Sequence, residues 1–224
     1  MNEIVYIVTV PRERFDSSPD YARDRELLEA LAGVPCRMIH YTELDAAGPG
    51  PDTPRILSGG KAGPDFPFEE VFYDEAFRRI LAEDAPTLAI CRSFQLASAL
   101  LGAEVCAMPQ RPGLIPKDGG WYEEGPNPVR ILREDPLFEG LGPVIRVHQN
   151  HRNEVRSIPK GVVALAESPA CPVQAWRHPE RLFYGLQFHP ERGGHADGHR
   201  ILHTFFHMQR DVRYPSEPSP KQNG

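Results

Sequence analysis

Residues 87–101 read TLAIC followed by RSFQLASALL, and the junction between those two strings decides how the rest of the chain folds. The first string is a short apolar run of the kind covered on both faces in a parallel sheet. The second has helix-forming composition and stops at Gly102, a residue suited to a helix end. A strand that runs straight into a helix is the repeating unit of an α/β sheet. In open sheets of that class reactive groups gather at the carboxyl ends of strands, which is where Cys91 stands. The unpartnered N–H groups of a first helical turn and the positive end of the helix dipole both favour a thiolate there. The competing reading makes Cys91 a small hydrophobe closing a core strand, since cysteine is among the most buried residue types.

The segments on either side repeat the same unit. Residues 4–10 (IVYIVTV) form a nearly unbroken β-branched and aromatic run, which predicts a central strand. A polar, proline-containing loop follows. Leu27, Leu28 and Leu31 at helical spacing then predict a helix over 21–31, and Pro35 marks the break before a strand over 36–41. Arg55 to Leu57 leads into Ser58-Gly59-Gly60. Over 69–81, Phe72, Tyr73, Ala76, Phe77, Ile80 and Leu81 lie on one stripe of an amphipathic helix. Beyond Ala103 short strands are expected near 129–133, 144–148, 162–167, 173–177 and 182–188, several of them antiparallel. Residues 111–127 read as a glycine- and proline-rich loop lining a pocket. A last helix over 195–210 buries Ile201, Leu202, Phe205 and Phe206.

Composition bounds the function. With 224 residues, 40% hydrophobic and 25% charged, the chain suits one α/β domain, placed at 1–211. Residues 212–224 are set apart as a loose tail, because Tyr214 to Gly224 (YPSEPSPKQNG) has three prolines and no apolar period. A net charge of -6 with no basic run argues against a nucleic-acid partner. No run approaches the roughly 18 apolar residues of a membrane span, and the first residues, MNEIVYIVTVPRERF, lack the flanks of a signal peptide. The expected location is therefore the cytoplasm, with no membrane partner. Cys36, Cys91, Cys106 and Cys171 are widely spaced without a C-x-x-C pair, so reduced thiols are expected.

Three segments taken together carry a resemblance: Ile56-Leu57-Ser58-Gly59-Gly60, Cys91-Arg92-Ser93-Phe94-Gln95, and Gly185-Leu186-Gln187-Phe188-His189-Pro190-Glu191. In order and spacing they resemble the class I glutamine amidotransferases (GATase1-like), across nearly the whole chain before the tail. That family has a nucleophile turn of the form G-x-C-x-G-x-Q, an earlier glycine pair and a late G-x-Q-F-H-P-E segment. The resemblance implies a flavodoxin-like open sheet, mostly parallel in its core, with helices on both faces and additional short antiparallel strands. It implies that Cys91 attacks the γ-carboxamide of glutamine to give a γ-glutamyl thioester, with His189 moving the proton and Glu191 orienting the ring. The backbone N–H groups of Gly60 and Arg92 are the implied oxyanion hole, and Gly59, Gln95 and His151 are the implied neighbours of the glutamyl end.

Released ammonia would then pass to a separate synthetase partner, and no cofactor is called for. Two alternatives stay open: a hydrolase of another γ-glutamyl amide, since Arg92 is reminiscent of the γ-glutamyl-γ-aminobutyrate hydrolase branch, and a noncatalytic ligand- or partner-binding member. The second is motivated by Ala89 and Ser93, which replace the family's glycines, and by Lys61 after the glycine pair. A separate hint, His195, His199, His203 and His207 at four-residue intervals, is read as a polar helix flank rather than a metal site. The ladder drifts by about 40° per step, too far for the four to share one ion.

Overall fold

The computed structural model describes residues 1–44, 49–60 and 75–208. Five strands form the parallel half of its sheet: β1 (Ile4–Val8), β2 (Cys36–His40), β3 (Arg55–Leu57), β4 (Thr87–Ile90) and β12 (Phe183–Leu186). Their order is β2-β1-β3-β4-β12 with every neighbouring pair parallel. Reversal of order between β1 and β3 is the doubly wound arrangement that opens a crevice at the carboxyl edge. Alternation within β1 shows why the run is apolar throughout. Ile4, Tyr6 and Val8 enter the cluster that holds Leu28, Ile201, Leu202 and Phe205, while Val5 and Ile7 enter the cluster of Phe77, Ile80, Phe94 and Leu96. The first face is covered by α2 (Pro19–Ala32) and α5 (Ala196–His207), the second by α3 (Glu75–Ala82) and α4 (Arg92–Leu100).

The sheet continues past β12 in antiparallel fashion through β11 (Ala175–Arg177), β10 (Val163–Glu167), β7 (Gly120–Ile131) and β6 (Ile115–Lys117), with β8 (Val144–His151) paired to β7. A second, two-stranded sheet joins β5 (Val105–Ala107) to β9 (Asn153–Val155). The fold is thus a mostly parallel core with an antiparallel extension, as expected.

Some boundaries differ. The loop expected after β1 contains a short helix, α1 (Arg12–Ser17). Residues 111–127, expected to be an irregular loop, are largely a hairpin of β6 and β7. Asp118 and Gly119 both have positive φ, 49° and 72°, so they form a two-residue turn whose twist matches the strands. The Asp118-Gly119 pair is the sequence signal for this turn. Pro126 and Pro128 are accommodated inside the β7–β8 ladder, opposite His148 and Arg146. The helix end at Gly102 holds: Gly102 N–H donates to the Ala99 carbonyl and Ala103 N–H to that of Ser98, the two bonds of a Schellman stop. Residues 61–74 and 209–224, with Lys61, Phe72, Tyr73 and the proposed tail, lie outside the described residues. Among the described residues no helix is long and apolar enough to cross a membrane.

Candidate active site

Cys91 sits between the last residue of β4 and the first of α4 with φ 48° and ψ -101°. Positive φ in a residue with a side chain is a strained, turn-forming state. The turn is fixed on both sides: Cys91 N–H donates to the Leu186 carbonyl at 2.7 Å, and its own carbonyl accepts from Gln95 N–H at 2.9 Å. β12 pairs in register with β4, Leu186 opposite Ile90, so the segment after Leu186 arrives beside the cysteine. His189 is held there by its N–H to the His148 carbonyl of β8 at 2.8 Å.

His189 Nδ1 lies 2.7 Å from Glu191 Oε1, and the Cys91 sulfur is near enough to act on its charge. Cys91, His189 and Glu191 are 4%, 3% and 6% exposed, so charge placed on any of them is poorly hydrated. Burial disfavours the imidazolium, but the Glu191 carboxylate and the Cys91 sulfur outweigh it and raise His189 to about 10. Glu191 shows the complementary balance: burial works against its charge, yet the His189 cation holds it below the usual carboxylate value. Behind Glu191, Arg192 reaches both Glu191 Oε1 (3.4 Å) and Asp24 Oδ2 (3.5 Å), and Asp24 accepts from the Tyr6 hydroxyl at 3.1 Å. Burial, then repulsion from Glu191, raises Asp24 to about 6.

Gly59 and Gly60 close the site from the end of β3. A Cβ on Gly59 would fall 2.5 Å from His189 Cε1 and 3.4 Å from Cys91 Cβ, and one on Gly60 would fall 2.8 Å from Arg92 Cδ. Glycine at 59 therefore lets the imidazole approach the strand end. The two departures from the family's glycines are absorbed. Ala89 is fully buried between Leu57 and Gly185 in the sheet register. Ser93 donates to the Ser58 carbonyl at 2.6 Å and lies 2.6 Å from the Thr9 hydroxyl, which ties the turn to the tips of β1 and β3.

Six of the residues singled out in sequence, Cys91, His189, Glu191, Gly59, Gly60 and Arg92, meet at this edge. Gln95 and His151 do not present free side chains to it. Gln95 Nε2 is held by the Asn153 carbonyl (2.9 Å) and Gln187 Oε1 (3.0 Å), because the first turn of α4 packs onto β9 rather than facing solvent. His151 points into the antiparallel half, with Nδ1 2.9 Å from the Asn153 carbonyl and Nε2 3.1 Å from Glu123. Gln187, Arg192 and Asp24 are site neighbours that residue reading did not single out. Only the continuation of the G-x-Q-F-H-P-E segment on either side of its histidine could have pointed to the first two.

The histidine ladder comes apart. His195 stacks on His148, whereas His207 Nδ1 lies 2.7 Å from the His203 carbonyl and their rings stack at 4.2 Å. Among the described residues the grouping with metal-ligand chemistry is elsewhere: buried Glu123, His151 and Cys171, whose ligand atoms lie within 4.8 Å of one another. Glu123 is already engaged there by His151, Gln174 and Ser168.

Comparison with known proteins agrees with this geometry. The sequence profile of the family described as glutamine amidotransferase class-I matches residues 29–209. The chain is 36% identical over 125 residues to a glutamine-hydrolysing GMP synthase subunit of Methanosarcina mazei, covering 56% of this chain and 60% of that protein. The corresponding subunit of Archaeoglobus fulgidus is 39% identical over 108 residues, 48% of this chain and 53% of the other. The matched stretch thus spans less than two thirds of these curated relatives. A crystal structure from Thermoplasma acidophilum, provisionally assigned to the same GMP synthase subunit, superposes with a TM-score of 0.69 at 25% identity over 92% of both chains. The acivicin-bound glutaminase domain of Trypanosoma brucei CTPS gives 0.65 at 16% identity over 92% of both chains, a likeness of fold.

Proposed function

The chain belongs to the class-I glutamine amidotransferase family, and from that premise we propose that it hydrolyses the γ-carboxamide of glutamine through Cys91. The observation that carries the proposal is the convergence of a strained strand-end thiol with a buried imidazole fixed by a carboxylate at 2.7 Å. An amide is a poor electrophile, so its cleavage needs a charged nucleophile, a docked oxyanion and a proton for the leaving nitrogen. When the sulfur attacks, its proton rests on His189, whose imidazolium the Glu191 carboxylate stabilises. Sγ attacks the amide carbon; the N–H groups of Gly60 and Arg92 receive the developing oxyanion; His189 gives its proton to nitrogen as ammonia leaves. Water, deprotonated by the now neutral His189, hydrolyses the γ-glutamyl thioester. Glu191 keeps the ring turned toward sulfur and stabilises its charge, with Arg192 and Asp24 behind it.

The naming of the archaeal relatives as glutamine-hydrolysing subunits supports a separate acceptor-activating enzyme as the destination of the ammonia. The test is ammonia release from glutamine, together with trapping by a glutamine-like electrophile and mass-spectrometric mapping of the modified residue. Modification at Cys91 is expected. An unmodified Cys91 and no ammonia would leave the noncatalytic reading in its place.

A second reading, hydrolysis of a γ-glutamyl amide with an anionic leaving group, is favoured by one feature. A cavity of about 220 Å³ lined by Arg14, Ser17, Ser18, Asp20, Tyr21 and Arg192 adjoins Glu191 through Arg192. Two guanidinium groups suit a carboxylate on the departing amine. Faster turnover of γ-glutamyl-γ-aminobutyrate than of glutamine would select it.

A further inference from the structure

Gln187 lies in the turn after β12, two residues before His189, and is fully buried; Gln95 in the first turn of α4 is buried beside it. Their amides fix one another. Gln95 Nε2 lies 2.9 Å from the Asn153 carbonyl oxygen. A backbone carbonyl only accepts, so the group of Gln95 that faces it is the amide nitrogen, not the oxygen. The second hydrogen of that nitrogen is directed at Gln187, 3.0 Å away, and only the carbonyl end of Gln187 can receive it. The other end of Gln187, Nε2, is thereby turned to Cys91 Sγ at 3.7 Å. Flipping Gln95 would set oxygen against oxygen, and flipping Gln187 would set N–H against N–H, so the order Asn153 carbonyl, Gln95, Gln187, sulfur runs in one sense.

We infer that Gln187 is a hydrogen-bond donor to the attacking sulfur, and that Gln95 is the positioning residue that keeps its amide turned that way. The inference deepens the proposed function and rests on Cys91 as the nucleophile. An N–H donor stabilises a thiolate more than a thiol, because ionised acceptors make the stronger bond. Gln187 therefore keeps the sulfur ionised at lower pH than His189 alone would.

Other charged groups act on the same sulfur. His189 arrives from the segment after β12, Arg92 from α4 and Arg192 from the loop before α5, all bearing on it as cations. Glu191 and Asp24 lie behind His189, and the Asn150 carbonyl of β8 is 4.0 Å from Sγ. None of these is removed by a change at position 187.

The experiment is the rate of Cys91 alkylation by iodoacetamide against pH, with the labelled thiol identified by peptide mapping. Gln187→Glu keeps shape and still accepts from Gln95 but replaces the donor with an acceptor; Gln187→Leu removes the donor outright. Both should move the midpoint of the acid limb upward, by about 0.5 to 1 pH unit for leucine, a threefold to tenfold loss of thiolate below it. Gln95→Leu should move it in the same direction by less. Rates that fall equally at every pH, with the midpoint unmoved in Gln187→Glu, would overturn the role of Gln187 alone. Failure of the unaltered protein to alkylate at Cys91 would overturn the nucleophile itself, and the inference with it.

Discussion

Among the described residues two buried histidine–carboxylate pairs stand, one in each half of the sheet, built from nearly the same parts. At the parallel edge His189 meets Glu191 at 2.7 Å; in the antiparallel half His151 meets Glu123 at 3.1 Å. What differs is the third group that acts on the ring. For His189 it is the Cys91 sulfur, whose proton can move; for His151 it is the Asn153 carbonyl, which has none to give. Glu123 is further bound by Gln174 and Ser168, and so serves as the hub of a strut joining β7, β8 and the turn before β11. A buried imidazole and a carboxylate do not make a catalyst; the third partner decides.

Four substitutions test that contrast. Cys91→Ala should cost on the order of 10⁴-fold or more in ammonia release while the thermal unfolding midpoint stays within a few degrees, since it removes the one mobile proton and little volume. Gly59→Ala should lower kcat by about a hundredfold, because the added Cβ would lie 2.5 Å from His189 Cε1 and would displace the ring from sulfur. Glu191→Gln should also act mainly on kcat, whereas Glu123→Gln should cost about 3 kcal/mol of stability in denaturant titration and leave kcat of the folded fraction within about threefold. If both variants lost activity equally, the second pair would belong to the site as well.

The smallest effect is on pH dependence. His189 rises in the folded state to about 10, so its pair contributes stability that is complete below the free histidine value, near 6.5, and is lost as pH rises toward 10. Unfolding midpoints measured from about pH 7 to 10 should fall more steeply for the unaltered protein than for His189→Asn.

Much of the site was legible because its parts are short and local. A β-branched run covered on both faces, a Cys at a strand-to-helix junction and a glycine pair at a strand end each leave a mark within a few residues. The convergence of Cys91 with His189 needed the resemblance, since it arises from β12 pairing beside β4 across more than 90 intervening positions, which no periodicity records. The places of Gln95 and His151 beside the glutamyl end came from the resemblance alone. Here the Gln95 amide nitrogen is engaged by Asn153 and Gln187, and both ring nitrogens of His151 by Asn153 and Glu123. Such internal pairings depend on three-dimensional register and leave no trace in composition. The β6–β7 hairpin is hidden for another reason: the glycines and prolines of residues 111–127 read as a loop, while the turn itself is marked only by Asp118-Gly119.

The left-handed backbone at position 91 sets selection for catalysis against selection for durability. A side chain at φ 48° stores about 1–3 kcal/mol. Glycine would release that cost and give back only about 0.5–1 kcal/mol through a freer unfolded chain. An inert Cys91→Gly protein should therefore melt at or above the temperature of the active one. A screen for heat resistance alone would discard the nucleophile among its first changes, and improvements in robustness are better sought far from the tip of β4.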